Sequence, residues 1–285
     1  MNIDEACVSC IINQSLKVAN AIGADKALTQ KLYTTVEKMG EHFPFSQTPP
    51  EIAADVYEKM AQIAQKEDLY DEVKSLSTKK AYSFIPFLKE KLASSENKLL
   101  TATKIAVAGN VIDLAAEVEF DLQEELDKIF HTEFSHNDFE KLELELQKAT
   151  NIVVLGDNVG EHIFDYLFIE TVQKLYPSLD IVYMVRGRPI INDVTMKEAQ
   201  EAGFEKLCKL VDSGVNTPGF TYSRATKEAQ NLFDSADLIL SKGMGNYECL
   251  TPTHRDNICF LLKVKCGVVA ASLEKEVGDI ICKLK

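Results

Sequence analysis

The sequence predicts an α/β fold in which a mostly parallel sheet, covered by helices on both faces, follows a half that is mainly helical. Three observations predict it. Residues 1–145 carry apolar residues at helical spacing and no clear strand run. Beyond residue 150, short runs rich in Val, Ile and Leu alternate with amphipathic helical segments, the pattern of parallel strands joined by crossover helices. Gly, Asp and Asn gather directly after those runs, at the ends where strands hand over to helices.

Taken in order, Ile3 to about Ile22 reads as a helix, broken by Gly23-Ala24-Asp25, and a second helix runs from about Ala24 to Glu41. FPFSQTPP (Phe43–Pro50) is a loop, with Pro50 suited to the first turn of the next helix. Asp71–Glu90 is helical with weaker signals, and Pro86 is expected to kink or restart it. Thr101–Glu117, TATKIAVAGNVIDLAAE, is small and apolar yet carries Gly109, Asn110 and Asp113. Asn and Gly are poor helix-interior choices; Asn110 and Asp113, three apart, project from one face. The segment reads as a helix presenting an amide and a carboxylate to a cleft. Asp138 is expected to cap a surface helix through Ala149, after which the sheet begins. The boundary between an N-terminal helical domain (1–145) and an α/β domain (146–285) falls somewhere between residues 100 and 150.

NIVVLGDNVGE (Asn151–Glu161) organises the second half: a buried strand, Ile152–Leu155, then Gly156, Asp157, Asn158 and Glu161 before an amphipathic helix. Ile181–Val185 is the next strand, followed by Arg186-Gly187-Arg188-Pro189 and Asn192-Asp193. Thr195–Ala202 is helical and stops at Gly203. Leu207–Val211 is a third strand, leading into the turn-rich loop Asp212–Tyr222. Thr226–Phe233 is helical. Ala236–Leu240 is a fourth strand that opens into a Gly-bounded loop, SKGMGNYE (Ser241–Glu248). Asn257–Lys265 is a fifth strand and Gly267–Ala270 a short further one.

Composition narrows the function. The 285 residues are 46% hydrophobic and 26% charged, as in a soluble globular protein, with 44 acidic against 31 basic residues and a net charge of -13. Such a surface repels nucleic acid and anionic membranes, so neither is expected as a partner. No apolar run approaches a membrane span, and MNIDEACVSC is not a signal peptide. An odd count of 7 scattered cysteines fits reduced thiols in the cytoplasm better than a disulfide framework. Cys7 and Cys10 share a helix face, but no second C-x-x-C or nearby His completes a zinc site, so they read as packed thiols.

Asp157, Asn158, Arg186, Asn192, Asp193 and Lys242 all follow predicted strands, so one edge of the sheet collects them. Two Asp and one Asn, without Cys or His, suit a hard divalent cation. Lys242, with the N–H groups of Gly243 and Gly245, suits phosphate, and Arg186 or Arg188 adds bidentate contacts. For any one of these residues a solvated loop charge or helix cap is the commoner role; their recurrence after successive strands is what indicates a site. The Gly-rich GKT/GKS loop, the G-x-G-x-x-G fingerprint and the G-x-S-x-G elbow are absent.

The ordered series AGNVID, LGDNVGE, VRGRPIINDVT and SKGMGNYE, behind an N-terminal C-x-x-C helix and a TPPE segment, resembles the DUF89 family of metal-dependent damage-control phosphatases, the ARMT1-like domain. The likeness runs through nearly the whole chain and is closest to the shorter prokaryotic-type branch with paired cysteines. It implies a three-layer α/β/α Rossmann-like core with a helical domain, and Asp157, Asn158 and Asp193 as ligands of Mg²⁺, Mn²⁺, Co²⁺ or Ni²⁺. It implies Lys242, with Gly243, Gly245 and Asn246 of the same motif, at the phosphate. Glu161 is then near the reacting water or substrate, and Asn110 and Arg186 line the pocket. The expected reaction is hydrolysis of a phosphomonoester of a small metabolite, such as a sugar phosphate. A water or an Asp carboxylate attacks, and Glu161 or Asp113 carries the proton. An S-adenosylmethionine-dependent carboxyl methyltransferase and a non-catalytic phosphometabolite-binding module are the alternatives.

Overall fold

In the computed structural model, which describes residues 1–111 and 119–285, the apolar run after Thr150 is an inner strand of a seven-stranded sheet. The chain reaches it through helices. α1 (Glu5–Ala21) is capped by Asp4 and α2 (Lys26–Gly40) by Asp25, whose carboxylates accept from the N–H groups of Ala6 and Leu28. α3 (Pro49–Ala64) begins with a full capping box between Thr48 and Glu51, and both prolines occupy its first turn, where no N–H is needed. These three helices share a core of Val18, Leu32, Val36, Val56 and Met60, which Ile190 enters from the second half of the chain.

α4 (Asp71–Ser94) runs through Pro86 as one helix, so the chain does not restart there. Pro86 lies on the exposed face, so the proline ring meets solvent and not a packed neighbour. α5 (Lys98–Val111) and α6 (Glu119–His131) follow; Asp113 lies outside the described residues. The sheet then starts earlier than expected, with β1 (His136–Asn137) ahead of α7 (Phe139–Lys148). Asp138 does not cap α7 through its side chain. Its carboxylate instead accepts from the Leu284 N–H at 3.0 Å and pairs with His136 and Lys141, because this corner is the edge of the sheet.

β2 (Asn151–Leu155), α8 (Glu161–Leu175), β3 (Asp180–Val185), α9 (Met196–Glu201) and β4 (Lys209–Asp212) build one side of the sheet. α10 (Lys227–Ser235), β5 (Leu238–Lys242), α11 (Gly243–Leu250), β6 (Ile258–Lys263), α12 (Gly267–Leu273) and β7 (Ile280–Leu284) build the other. Two expectations fail here. Ser241–Glu248 is not an open loop, since β5 passes directly into α11. Gly267–Ala270 is helical, and the last strand is β7, which runs antiparallel to β6. A short apolar run such as Val-Val-Ala has no period of its own, so packing decides: Val269, Ala270 and Leu273 cover one sheet face together.

The strand order is β1-β7-β6-β5-β2-β3-β4, all neighbours parallel except β6–β7. Alternation along the strands separates the two faces. Ile152, Val154, Ile181, Tyr183, Leu238 and Leu240 pack under α4, α5, α7 and α8. Val153, Leu155, Val182, Met184, Ile239 and Phe260 pack under α10, α11 and α12. The result is the three-layer α/β/α arrangement. Among the described residues no helix is long and apolar enough to cross a membrane.

Candidate active site

From β2 the chain moves outward to β3 and β4, then returns to place β5 on the opposite side of β2. The loops leaving β2 and β5 therefore diverge, opening the crevice at a topological switch point where open α/β sheets bind ligands. Asp157 and Asn158 leave β2 at that point and Lys242 ends β5 beside them.

The segment after β3 is clipped onto the one after β2. Val194 N–H donates to the Asp157 carbonyl and Val159 N–H to the Asn192 carbonyl, both at 2.8 Å, and Asn158 and Asp193 form an isolated antiparallel bridge. Ile191, in the same clip, holds a φ of 46°, unusual for a β-branched residue. Two glycines permit the approach. A Cβ on Gly156 would sit 2.7 Å from the Tyr183 hydroxyl, and one on Gly243, at φ +76°, only 1.9 Å from Asp157 Oδ2.

Side chains then divide into a front and a back. Asn110, Asp157, Asn158, Asp193 and Gly245 line a cavity of about 790 Å³, walled opposite by Cys7, Cys10 and Gln14 of α1 and Tyr57 of α3. Behind them Glu161, Asp165, Arg186, Lys242 and Asn246 are buried. Lys242 Nζ donates to Glu161 Oε1 and Asp165 Oδ1, each at 2.5 Å, and the Tyr183 hydroxyl donates to the other oxygen of Asp165 at 3.0 Å. Arg186 Nε donates to Asp193 Oδ2 at 2.8 Å, and its Nη2 to Asn246 Oδ1 at 3.2 Å. Asn110 Nδ2 donates to Asp157 Oδ2 at 2.9 Å and Glu161 Oε2 at 3.1 Å, while Asn158 Nδ2 donates to Asp157 Oδ2 at 2.8 Å.

Four buried carboxylates, Asp157, Glu161, Asp165 and Asp193, thus face two buried cations, Arg186 and Lys242. The imbalance shows in their acidities. Burial, then Glu161 and Asp193, push Asp157 well above the ordinary carboxyl range. Burial lifts Asp193 to about 6 against the pull of Arg186, and Asp165 to about 6 against that of Lys242. Burial alone would lower Lys242, but Asp165 and Glu161 outweigh it and hold the ammonium charged. A site short of two positive charges, with hard oxygen donors at its open face, fits a divalent cation. Among the described residues no three His, Cys, Asp or Glu side chains form a ligand group by themselves, so a metal here would need the Asn158 side-chain oxygen beside Asp157 and Asp193.

Asp113 apart, which lies outside the described residues, the residues singled out from the sequence are therefore brought together, with Lys242, Arg186 and Arg188 placed otherwise than expected. Lys242 ends a strand under Glu161 and Asp165 and has no side-chain exposure; Arg186 is equally enclosed. Asn246 turns its amide to the Gly156 and Lys242 carbonyls and takes the Phe220 N–H on its oxygen, tying the loop after β4 to the site. Arg188 lies off the site, lining a separate cavity beside α3. Cys7 and Cys10 stand at the cavity wall, where burial pushes the Cys7 thiol up. Asp165 was missed. Its signal was present: an acid one turn beyond Glu161 in a helix that is otherwise apolar on that side. His162, buried beside it, is pushed down to about 4 by burial and accepts the Gly160 N–H on Nδ1.

The model of the family described as the damage-control phosphatase ARMT1-like domain matches residues 3–281. A damage-control phosphatase of Pyrococcus horikoshii is 29% identical over 284 residues, 99% of this chain and 98% of that one. One of Archaeoglobus fulgidus is 30% identical over 290 residues, covering 100% and 99%. A crystal structure of a DUF89 family protein from P. horikoshii superposes with a TM-score of 0.93 at 28% identity, covering 100% of this chain and 99% of that one. The chain belongs to the ARMT1-like domain family.

Proposed function

We propose that this member of the ARMT1-like family is a divalent-metal-dependent phosphatase that hydrolyses phosphomonoesters of small metabolites, sugar phosphates among them. The observation that carries the reading is the surplus of two buried carboxylates at the sheet's switch point, with Asp157, Asn158 and Asp193 at its open face. The names of the archaeal relatives support the same reaction.

Asp157, Asn158 and Asp193 would hold the cation, Mg²⁺, Mn²⁺, Co²⁺ or Ni²⁺, which when bound polarises a phosphoryl oxygen. Phosphoryl transfer asks mainly for positioning and charge compensation. The start of α11, at Gly243–Gly245, directs the positive end of the helix dipole towards an anion in the cavity. Arg186 and Asn246 fix Asp193 from behind. Asn110 fixes Asp157 and Glu161 together, its own oxygen held by the Lys263 N–H at 3.1 Å. Glu161, paired with Lys242 and joined to Asp157 through the Asn110 amide, stands directly behind Asp157, so a proton taken from an attacking water at the open face would reach it by way of that carboxylate. The seven free thiols suit the reducing cytoplasm.

The test is phosphate release from sugar phosphates and an aryl phosphate after metal stripping and add-back. Release restored by one or more of the four cations, and reduced at least about 100-fold in Asp157→Asn, is expected. Silence with every cation from folded protein, or undiminished turnover by Asp157→Asn, overturns the assignment.

A further inference from the structure

Beyond Asp157 and Asn158 the cleft continues into a second lobe of about 860 Å³, sharing Gln14, Lys17, Asn158, Ile191 and Lys265 with the first. Charge divides the two lobes. The first is lined by Asp4, Asp157, Asp193 and Glu248. The second has Lys17, Lys263 and Lys265 on its wall and, among the described residues, no Asp or Glu. That is unexpected in a chain with 44 acidic and 31 basic residues.

The lysines are anchored by different elements. Lys17 stands one turn beyond Gln14 on the exposed face of α1. Lys263 ends β6, its backbone held by Asn110, and Lys265 follows two residues later with its N–H on the Met244 sulfur at 3.1 Å. Among the described residues none of the three amines forms an ion pair, whereas Lys74, Lys91 and Lys197 are each paired. Neutral hydrogen-bonding groups complete the wall at Asn20, Ser77 and Asn192. Clustered cations on a concave wall focus the field on an incoming anion, and among the described residues no carboxylate lines that wall to oppose it.

We propose that this lobe binds a second anionic group of the substrate, so that the molecules hydrolysed are small phosphomonoesters carrying another phosphate or a carboxylate. The inference rests on the phosphatase reading for the first lobe and adds the substrate class. Lys263 is the discriminating residue, because it lines the second lobe alone, while Lys17 and Lys265 reach both.

Matched pairs test it: fructose 1-phosphate against fructose 1,6-bisphosphate, and glycerol 3-phosphate against 3-phosphoglycerate. Turnover of each is measured on metal-loaded protein and binding by calorimetry, for wild type and for Lys17→Gln/Lys263→Gln. Both replaced side chains lie at the surface of the cleft, and the melting temperature checks the fold. The doubly charged member should be preferred by wild type at least about tenfold in kcat/KM and in Kd, more at low salt, and the double variant should bring that ratio to within about threefold of unity. A ratio near one in wild type, or one the variant leaves intact, overturns the lobe while measured phosphate release keeps the phosphatase. Absence of release from every compound, with the binding preference present and lost in the variant, overturns the phosphatase and keeps the lobe.

Discussion

The floor of the cleft and the helical wall facing it are held by different forces. On the floor, Asp157, Glu161, Asp165, Asp193, Arg186 and Lys242 are buried polar groups, each bound to others. The wall of α1, α2 and α3 rests on apolar packing about Val18, Leu32, Val36, Val56 and Met60. A polar contact within it is the Tyr57 hydroxyl of α3 donating to Gln14 Oε1 of α1 at 3.2 Å. Partners over-determine the floor, which suits a reaction that needs fixed charges. Shape holds the wall, so its surface residues are free to vary with the substrate.

The comparison breaks most easily at Lys242. Replacing it with Met leaves Glu161 and Asp165 buried without their counter-charge, and chemical denaturation should show a loss of about 3–5 kcal/mol. A loss below about 1 kcal/mol would mean that the floor is not held by its charges. Next in size is an acid effect at His162. Its folded pKa of about 4 lies below the ordinary 6.5, so the unfolded chain binds more protons between those values. The stability that neutral His162 contributes is therefore complete above about pH 6.5 and lost as the pH falls through 4. The advantage of wild type over His162→Phe should shrink by about 3 kcal/mol across that window. Equal pH profiles for the two proteins would remove His162 from the buried set.

On the wall, Met60→Ala deletes a fully buried side chain and should cost about 2–3 kcal/mol in denaturant, through a cavity and no charge effect. A marked salt dependence of that loss would contradict the apolar account. The smallest effect belongs to an exposed pair, Lys197–Asp71 at 2.8 Å between α9 and α4. Lys197→Ala should shift stability by less than about 0.5 kcal/mol, since solvent screens both partners. Set beside Lys242→Met, it shows that burial, and not pairing as such, gives the floor its rigidity.

Much of this was readable beforehand. Ile152–Leu155 and Ile181–Val185 announced strands because β-rich runs bounded by Gly and Asp have few other uses. The recurrence of Asp157, Asp193 and Lys242 after strands was enough to expect them together, because strands of a parallel sheet end at one edge. Gly267–Ala270 misled because four small apolar residues fit helix and strand alike, and β7 was missed because its antiparallel course is set by β6. Lys242 was read as an open phosphate contact because its two acids come from another element, 81 and 77 residues earlier in the chain. The basic lobe was invisible for the same reason: Lys17 and Lys263 share a cavity only once α1 lies across the end of β6.

By itself, then, the sequence determined the alternation of strand and helix, the polar cluster after the strands and the acidic balance, since these depend on neighbouring residues and on composition. The tertiary structure alone decided which carboxylate faces which cation, which groups reach the cavity and which stand behind it, and where unpaired lysines gather. Those are contacts across long stretches of chain. Strand order and helix packing fix them, and neither is written in any local period.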